Sequence, residues 1–467
     1  MRKRIGLFFL IFCLLLTACA PAAQPEPAPN PPPAHEASAP EETPTPPAPE
    51  EPPEPELSQR EKDWIEDIEF LREQYKEKHA SPFYLHTEEE FDRKLDDLSA
   101  KVGKLTDNDI FFELTAIVAG MGDIHTNVWV PEILYERLLP FDAGYFGEHL
   151  YLCDYRGGCD ELAPYLWREI VAINGVDITY LRRKAESIIS PVNTWLSKER
   201  FPFLWVPVAA FYDWATGLGE RETYTLQLLN ENQEVESVEV PVISWEEYEG
   251  SEVVRPESYK SVQAIYNGDW TEYVDRSGGC IYLAVGTMNN TEEPHYKELF
   301  EEAAGLQEEH PDCRKLAIDL RRNSGGYGLA RRYLENHLHI LKELPFEQVF
   351  VLSGGYTTSN AMRCLTLFQE ELGAVTVGEP TGQFMSFFLY STSAEPVTIT
   401  LPHSQLSVAV STGWGEGDNP ESTVYNKKNV NRLYEWENTI MPDVYVHMDV
   451  EDVREGRDTV VEWVLAQ

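Results

Sequence analysis

Leu316-Ala317-Ile318-Asp319-Leu320-Arg321-Arg322-Asn323-Ser324-Gly325-Gly326-Tyr327-Gly328 is the stretch on which the reading of this chain turns. Its first five residues form a short apolar run of the kind that fills a buried strand, with Asp319 near its end. The paired glycines that follow let backbone N–H groups turn outward where a Cβ would block approach. A second apolar run, Val349 to Leu352, ends in Gly354-Gly355. Thr357-Thr358-Ser359-Asn360-Ala361 then opens a helical stretch to Leu372. A glycine turn and a serine at a helix start thus stand at the ends of neighbouring strands. An oxyanion hole and its nucleophile are presented in this way.

Around this stretch strands and helices alternate. Cys280 to Val285 reads as a strand, His295 to Gln307 as a helix, Tyr327 to Leu341 as a helix and Ala374 to Val377 as a strand. Such alternation predicts an α/β architecture. Residues 60–120 read as helices. Trp64, Ile68, Leu71 and Tyr75 share one face, and Thr87 with Glu90, then Thr106 with Asp109, form capping-box patterns. Gly122-Asp123-Ile124-His125-Thr126 interrupts the third helix, and Asn127 to Val130 follows as a strand. Residues 140–245 read as mostly strand. Within them Asn174-Gly175 after an apolar run signals a tight hairpin. That hairpin resembles the late hairpin of a PDZ domain, so a diverged PDZ-like module is expected there.

Asp319-Leu320-Arg321-Arg322-Asn323-Ser324-Gly325-Gly326, the Ser359 segment, Gly378-Glu379-Pro380-Thr381-Gly382 and Pro442-Asp443 together resemble the motifs of serine peptidases of family S41, the tail-specific protease and tricorn-core group. The resemblance spans roughly residues 60 to 467 and is strongest from Cys280 onward. It implies a ClpP/crotonase-like ββα core behind an N-terminal helical region, making an α/β (α+β) multidomain chain. It also implies hydrolysis of peptide bonds without a cofactor. The expected organisation is a signal peptide over 1–18, a tether over 19–57, a helical region over 58–130, a PDZ-like, β-rich module over 131–268 and the peptidase-like core over 269–467.

Ser359 is the candidate nucleophile; the ordinary use of a serine at a helix start is as an N-cap. A serine hydroxyl needs a base. One S41 branch supplies a lysine after the Gly-Glu-Pro-Thr motif, but this chain reads Gly382-Gln383-Phe384-Met385-Ser386-Phe387-Phe388 there. The other branch uses a histidine, and Asp123-Ile124-His125-Thr126 matches its aspartate-any-histidine-threonine signature. His125, with an ordinary pKa of ~6.5, suits proton transfer near neutrality. The tricorn-like branch places a glutamate just before Pro442-Asp443, which makes Glu437 the candidate third member that orients the imidazole, with Glu435 or a plain surface carboxylate as the alternatives. Asp123 is expected to cap its own turn. The resemblance assigns the oxyanion hole to backbone N–H groups of Gly325, Gly326 and Asn360. One departure stands out: the branch that processes C-termini has a glutamate three residues after the serine, and this chain has Met362. Arg321 and Arg322 could bind a substrate carboxylate but read first as a salt-bridged or solvated surface pair. No metal-ligand spacing is visible.

The formal net charge of −41 on 467 residues repels nucleic acid and anionic headgroups. Arg2, Lys3 and Arg4 precede an apolar run from Ile5 to Leu16, the layout of an export signal. Leu16-Thr17-Ala18-Cys19 resembles a lipobox, which implies lipidation of Cys19 and anchorage to the outer face of the cell membrane. Removal of residues 1–18 takes away three positive charges and no negative one, leaving −44. Ala20 to Glu56 is almost entirely Pro, Ala, Glu and Thr, a tether that could extend on the order of 100 Å at ~3.1 Å per residue. Of the seven cysteines, Cys153 and Cys159 bracket a turn and are open to a disulfide or to two free thiols. The expectation is a lipid-anchored, extracytoplasmic serine endopeptidase acting on peptides or proteins. The alternatives are an inactive peptide-binding lipoprotein of the same fold and an envelope scaffold. The sequence sets no oligomeric state.

Overall fold

The computed structural model describes residues 56–83, 86–189, 193–256, 258, 272–383, 387–389, 397–415 and 440–467. Met1–Pro55 and Glu56–Gln467 are separate units, and the fold lies in the second. The export signal, Cys19 and nearly all of the tether lie outside the described residues, as does Glu437.

Three capped helices open the fold. Ser58, Thr87 and Thr106 each form a capping box with Glu61, Glu90 and Asp109, starting α1 (Gln59–Lys78), α2 (Glu88–Ser99) and α3 (Asp107–Ala119). Each box satisfies two backbone donors that a helix start would otherwise leave open. Trp64, Ile68, Leu71 and Tyr75 face the core from α1, as their spacing predicts. Beyond α3, a loop through Gly122–Thr126 leads into β1 (Asn127–Val128).

The β-rich middle begins with an antiparallel pair, β2 (Phe141–Phe146) and β3 (His149–Arg156). Then β4 (Ile170–Ile173) turns through Asn174 and Gly175, at φ +51° and +74°, into β5 (Val176–Asp177). Positive φ at both turn residues is what this two-residue hairpin demands. Three helices follow, α4 (Ile178–Ile188), α5 (Thr194–Leu204) and α6 (Ala209–Thr216). They correct the expectation that 140–245 is mostly strand. Asp177 and Asn193 cap α4 and α5, and Leu181, Ala185 and Ile188 make one buried face of α4. β6 (Thr223–Leu229) and β7 (Val235–Pro241) complete a four-stranded sheet in the order β5-β4-β6-β7. The short α7 (Trp245–Gly250) precedes β8 (Val253–Val254), which pairs with β3.

Cys153 and Cys159 are free thiols, so the disulfide reading is corrected. Cys153 packs beside Phe146, Trp167 and Val453, whereas Cys159 belongs to the large core around Leu162 and Leu152. The two sulfurs sit in different apolar clusters. Burial pushes the Cys159 thiol up to about 11, and it holds the Cys153 thiol far above its ordinary value.

The C-terminal half follows the predicted alternation. Its elements are β9 (Glu272–Ser277), β10 (Cys280–Val285), α8 (Pro294–Glu309), β11 (Lys315–Asp319), α9 (Gly328–His337), α10 (His339–Lys342), β12 (Gln348–Ser353), α11 (Ser359–Leu372) and β13 (Val375–Gly378). The strands β14 (Phe387–Leu389), β15 (Val397–Thr400), β16 (Ser407–Val410), β17 (Gly413–Gly415) and β18 (Val444–Tyr445) follow, then α12 (Val450–Arg454) and α13 (Thr459–Ala466). A six-stranded sheet runs β18-β13-β12-β11-β10-β9, parallel except where β9 meets β10. Alternate side chains divide between its faces. Ile281, Leu283, Leu316, Ile318 and Val351 pack under α8, α9 and α11, while Tyr282, Ala317, Phe350 and Leu352 meet α13. Arg321 joins the sheet to α13 through both Asp319 (2.6 Å) and Asp458 (2.7 Å), and Asp458 also caps α13. Arg321 is thus committed to a buried ion-pair network, which corrects its reading as a surface residue while keeping the salt bridge.

A second, larger core is continuous from α1–α3 through the β-rich middle. The expected boundary near residue 130 does not divide it. Ile399, Leu401, Val408 and Val410 of the β15–β16 hairpin enter this same core, because β16 pairs antiparallel with β1. The C-terminal half therefore reaches back across the N-terminal one. That return places the Gly122–Thr126 loop beside the hairpin's exit at Ser411, whose N–H donates to Thr126 Oγ1 at 3.0 Å.

Candidate active site

Parallel strands ending side by side deliver both halves of the site. β11 runs into Leu320–Gly326, and β12 runs into Gly354–Thr358. Hydrogen bonds stitch the two loops together. Thr357 Oγ1 donates to Leu320 O (2.8 Å), Thr358 Oγ1 to Ser324 O (3.0 Å) and Asn360 Nδ2 to Gly326 O (2.6 Å). Thr358, not Ser359, holds the N-cap position of α11. Ser359 is the first helical residue, and its φ is +52°. A side-chain-bearing residue pays for that left-handed conformation, and such strain collects at functional sites. Its N–H donates to Oε1 of the buried Gln383 at 2.7 Å. The hydroxyl is left without a hydrogen bond to any described residue.

The glycine turn lies directly against the serine. A Cβ on Gly325 (φ +97°) would stand 2.6 Å from Ser359 Cβ and 2.9 Å from Asn360 N. Gly326 (φ +138°) leaves no room either, because Met288 O would lie 2.5 Å from its Cβ. The three expected oxyanion donors are not equivalent. Gly325 N–H is already spent on Asn323 Oδ1 (2.8 Å). The N–H groups of Gly326 and Asn360 donate to no described residue.

His125 sits in the loop after α3 with its side chain 18% exposed. Asp123 shapes this loop as expected. Its Oδ1 accepts the His125 N–H (3.0 Å), and its Oδ2 accepts Thr126 Oγ1–H (2.6 Å). Burial works to raise the Asp123 carboxyl. The hydrogen bond from His79, followed by the charge of His125, outweighs it and holds the carboxyl below its ordinary value.

A cavity of about 410 Å³ joins the two halves. Ile124 and Thr126, the neighbours of His125, line it on one side, and Tyr356, three residues before Ser359, lines it on another. Arg200, Phe203 and Leu204 of α5 close the wall between them. The loop that carries His125 and the loop that leads into Ser359 thus both touch one chamber, although neither Ser359 nor His125 itself lines it and no hydrogen bond joins their side chains. Met362, where the C-terminal-processing branch has a glutamate, is fully buried, and its sulfur faces Thr381 Oγ1 at 3.6 Å. Gln383 and His79 carry no local pattern of their own. Only the position of Gln383, directly after Gly378–Gly382, could have marked it. Among the described residues, no group of three or more His, Cys, Asp or Glu side chains is placed to hold a metal ion. Nor is any described helix long and apolar enough to cross a membrane.

No protein-family model and no curated protein matches the sequence. Solved structures do match. Mature CPAF in complex with lactacystin aligns over 87% of this chain and 97% of its own, with a TM-score of 0.56 at 11% identity. Mature CPAF alone aligns over 87% and 96%, with a TM-score of 0.54 at 11% identity. The photosystem II D1 C-terminal processing protease aligns over 86% and 99%, at a TM-score of 0.36 and 13% identity. At these identities the CPAF likeness is one of architecture, and it extends over nearly the whole folded part. The α/β multidomain fold that the motifs imply is the fold of this chain, and it is the architecture shared with CPAF.

Proposed function

We propose that this chain is a serine endopeptidase of the S41 type, exported and held at the membrane by lipid on Cys19. Ser359 attacks the carbonyl carbon of a peptide bond while His125 takes its proton. The N–H groups of Gly326 and Asn360 receive the oxyanion. His125 then protonates the departing amine, and water releases the acyl group by the reverse sequence. Glu437 is the carboxylate assigned to orient His125. Each backbone donor of this kind contributes about 3 kcal/mol to lowering the barrier. One observation carries the reading: a serine forced to φ +52° beside two N–H groups that donate to no described residue. A serine serving only as a helix cap needs neither feature. The apolar chamber beside it, walled by Phe203, Leu204 and Val128, suits an apolar substrate side chain.

Labelling with a fluorophosphonate probe tests the mechanism. Wild-type protein acquires one label, and Ser359→Ala and His125→Ala lose it. Undiminished labelling in both variants would remove the proposal. Peptide binding by a wild-type protein that neither labels nor cleaves would favour a non-catalytic module on the same fold.

A further inference from the structure

His79 and Asp123 form a buried polar pair that no step above uses. Both side chains are almost wholly out of solvent, at 0% and 1% exposure. His79 stands at the C-terminal cap of α1, stacked on Tyr75 at 5.1 Å between ring centroids. Its Nδ1 accepts the Ser81 N–H at 3.0 Å. That bond settles the tautomer: Nδ1 carries no proton, so Nε2 does, and Nε2–H is directed at Asp123 Oδ2, 3.4 Å away. A neutral imidazole therefore serves as a fixed donor to a buried carboxylate.

Asp123 takes hydrogen bonds from two parts of the chain, and a third anchors its loop. His79 comes from the end of α1, Thr126 and the His125 N–H from its own loop. The Ser411 N–H, at the exit of the β15–β16 hairpin, donates to Thr126 Oγ1, and Ser411 O accepts the Ala80 N–H at 2.9 Å. Asp123 Oδ1, which accepts the His125 N–H, also lies 4.0 Å from His125 Nδ1. The titratable groups facing Asp123 are thus His79 across the helix end and His125 beside it. Buried carboxylates with no counter-charge are costly, and one held by several donors stays ionised.

We infer that Asp123, held by His79, is a positioning carboxylate for His125: it fixes the loop that carries the imidazole and stabilises that ring when it gains a proton. This rests on the peptidase reading in assigning His125 as the base. The physical content is that two carboxylates serve one histidine. Glu437 is the candidate at the ring. Asp123 acts from beneath, through the loop backbone and across 4.0 Å of low-dielectric interior, where a charge is felt more strongly than in water. The three-part anchoring also makes the His125 loop answer to α1 and to the β15–β16 hairpin, so the base is set by the same packing that joins the two halves of the molecule.

The test reads His125 directly. Histidine ring titrations by NMR are recorded on full-length Ser359→Ala protein, with the His125 signal identified by its loss in His125→Gln. Asp123→Asn keeps the shape and most acceptor contacts but removes the charge. It should lower the His125 pKa by about one unit, a tenfold change in its proton affinity. In enzyme with Ser359 intact, the acidic limb of kcat/KM should move to lower pH by the same amount. His79→Phe should reproduce part of that shift, and His79→Gln, which retains an N–H donor, should restore it towards wild type. If Asp123→Asn does not fold, the His79 pair alone decides. A His125 titration unmoved in every folded variant overturns the inference. A protein that cleaves nothing, yet shows the expected titration shifts, overturns the peptidase reading and leaves the positioning role standing.

Discussion

Gly325 occupies a point where two backbones meet, and its side-chain position is already filled by Ser359. Gly325→Ala would have to push Ser359 Cβ and Asn360 N away from 2.6 and 2.9 Å while holding a residue with a Cβ at φ +97°. The expected outcome is a fall in fluorophosphonate labelling on the order of a hundredfold, the loss met when an oxyanion donor is displaced. The melting temperature should fall far less, because the turn lies outside the two large cores. Labelling within a few-fold of wild type would show that the nucleophile does not depend on this contact. The residues of the site divide by how they could be read. The turn and helix start around Ser359, Gly325 and Gly326 were legible because strand end, glycine pair and helix start are contiguous patterns. The Asp123-capped loop around His125 was legible through its four-residue signature. The contacts of Gln383 and His79 were not, because each reaches a partner 24 or 44 positions away. Nothing in their neighbours announces such a pairing. Asn323 explains why Gly325 fell out of the donor set: its side chain reaches the N–H two residues on, a local bond that a glycine motif does not encode.

Among the elements, β2 and β3 carry an unusual cost. Asp142 and Asp154 stand opposite each other in the register of that hairpin, and like charges across a strand pair repel. Asp142 takes hydrogen bonds from Tyr248 (2.7 Å) and Arg156 (2.9 Å). Asp154 has Arg255 at 3.3 Å, and its Oδ1 is buried with no hydrogen-bond partner. Burial first, then the charge of Asp142, pushes the Asp154 carboxyl up to about 8. Its value in the unfolded chain is ~3.9, so the folded state binds the extra proton between those two limits. Stability contributed by this site is therefore complete below about pH 4 and is lost as pH rises towards 8. Asp154→Asn cannot ionise. Thermal melts should coincide with wild type at pH 4 and lie higher at pH 8, by on the order of 5 kcal/mol of unfolding free energy. Parallel curves across that range would refute the assignment. Element type was legible where caps and periodicity agree, and α11 begins and ends at the residues its pattern indicates. The helices α4 to α6 were hidden because residues 178–216 are rich in β-branched and aromatic side chains, which suit strands in isolation. Here Asp177, Asn193 and the shared core override that preference.

For the whole molecule, the α/β alternation from Cys280 onward suggests a self-contained C-terminal domain, yet the packing contradicts independence. Ile399, Leu401, Leu406, Val408 and Val410 are buried in the N-terminal core. The turn between their strands is clamped from below: the fully buried Asp67 on α1 accepts the His403 N–H (2.8 Å) and the Ser404 N–H (2.7 Å). Burying five such side chains contributes on the order of 10 kcal/mol, as much as the entire net stability of an ordinary domain. Long-range docking of this kind is invisible to local pattern, since β15 and β16 read like any other short strands. Residues 272–467 expressed alone should expose the hairpin, bind a hydrophobic dye and lack cooperative unfolding. Co-expression with residues 56–271 should restore a soluble, cooperatively melting complex, because β1 and α1 would again cover the hairpin. A monomeric fragment 272–467 with a sharp thermal transition and well-dispersed amide resonances would sink this view. It would also loosen the tie by which the β15–β16 hairpin, through Ser411 and Thr126, holds the His125 loop.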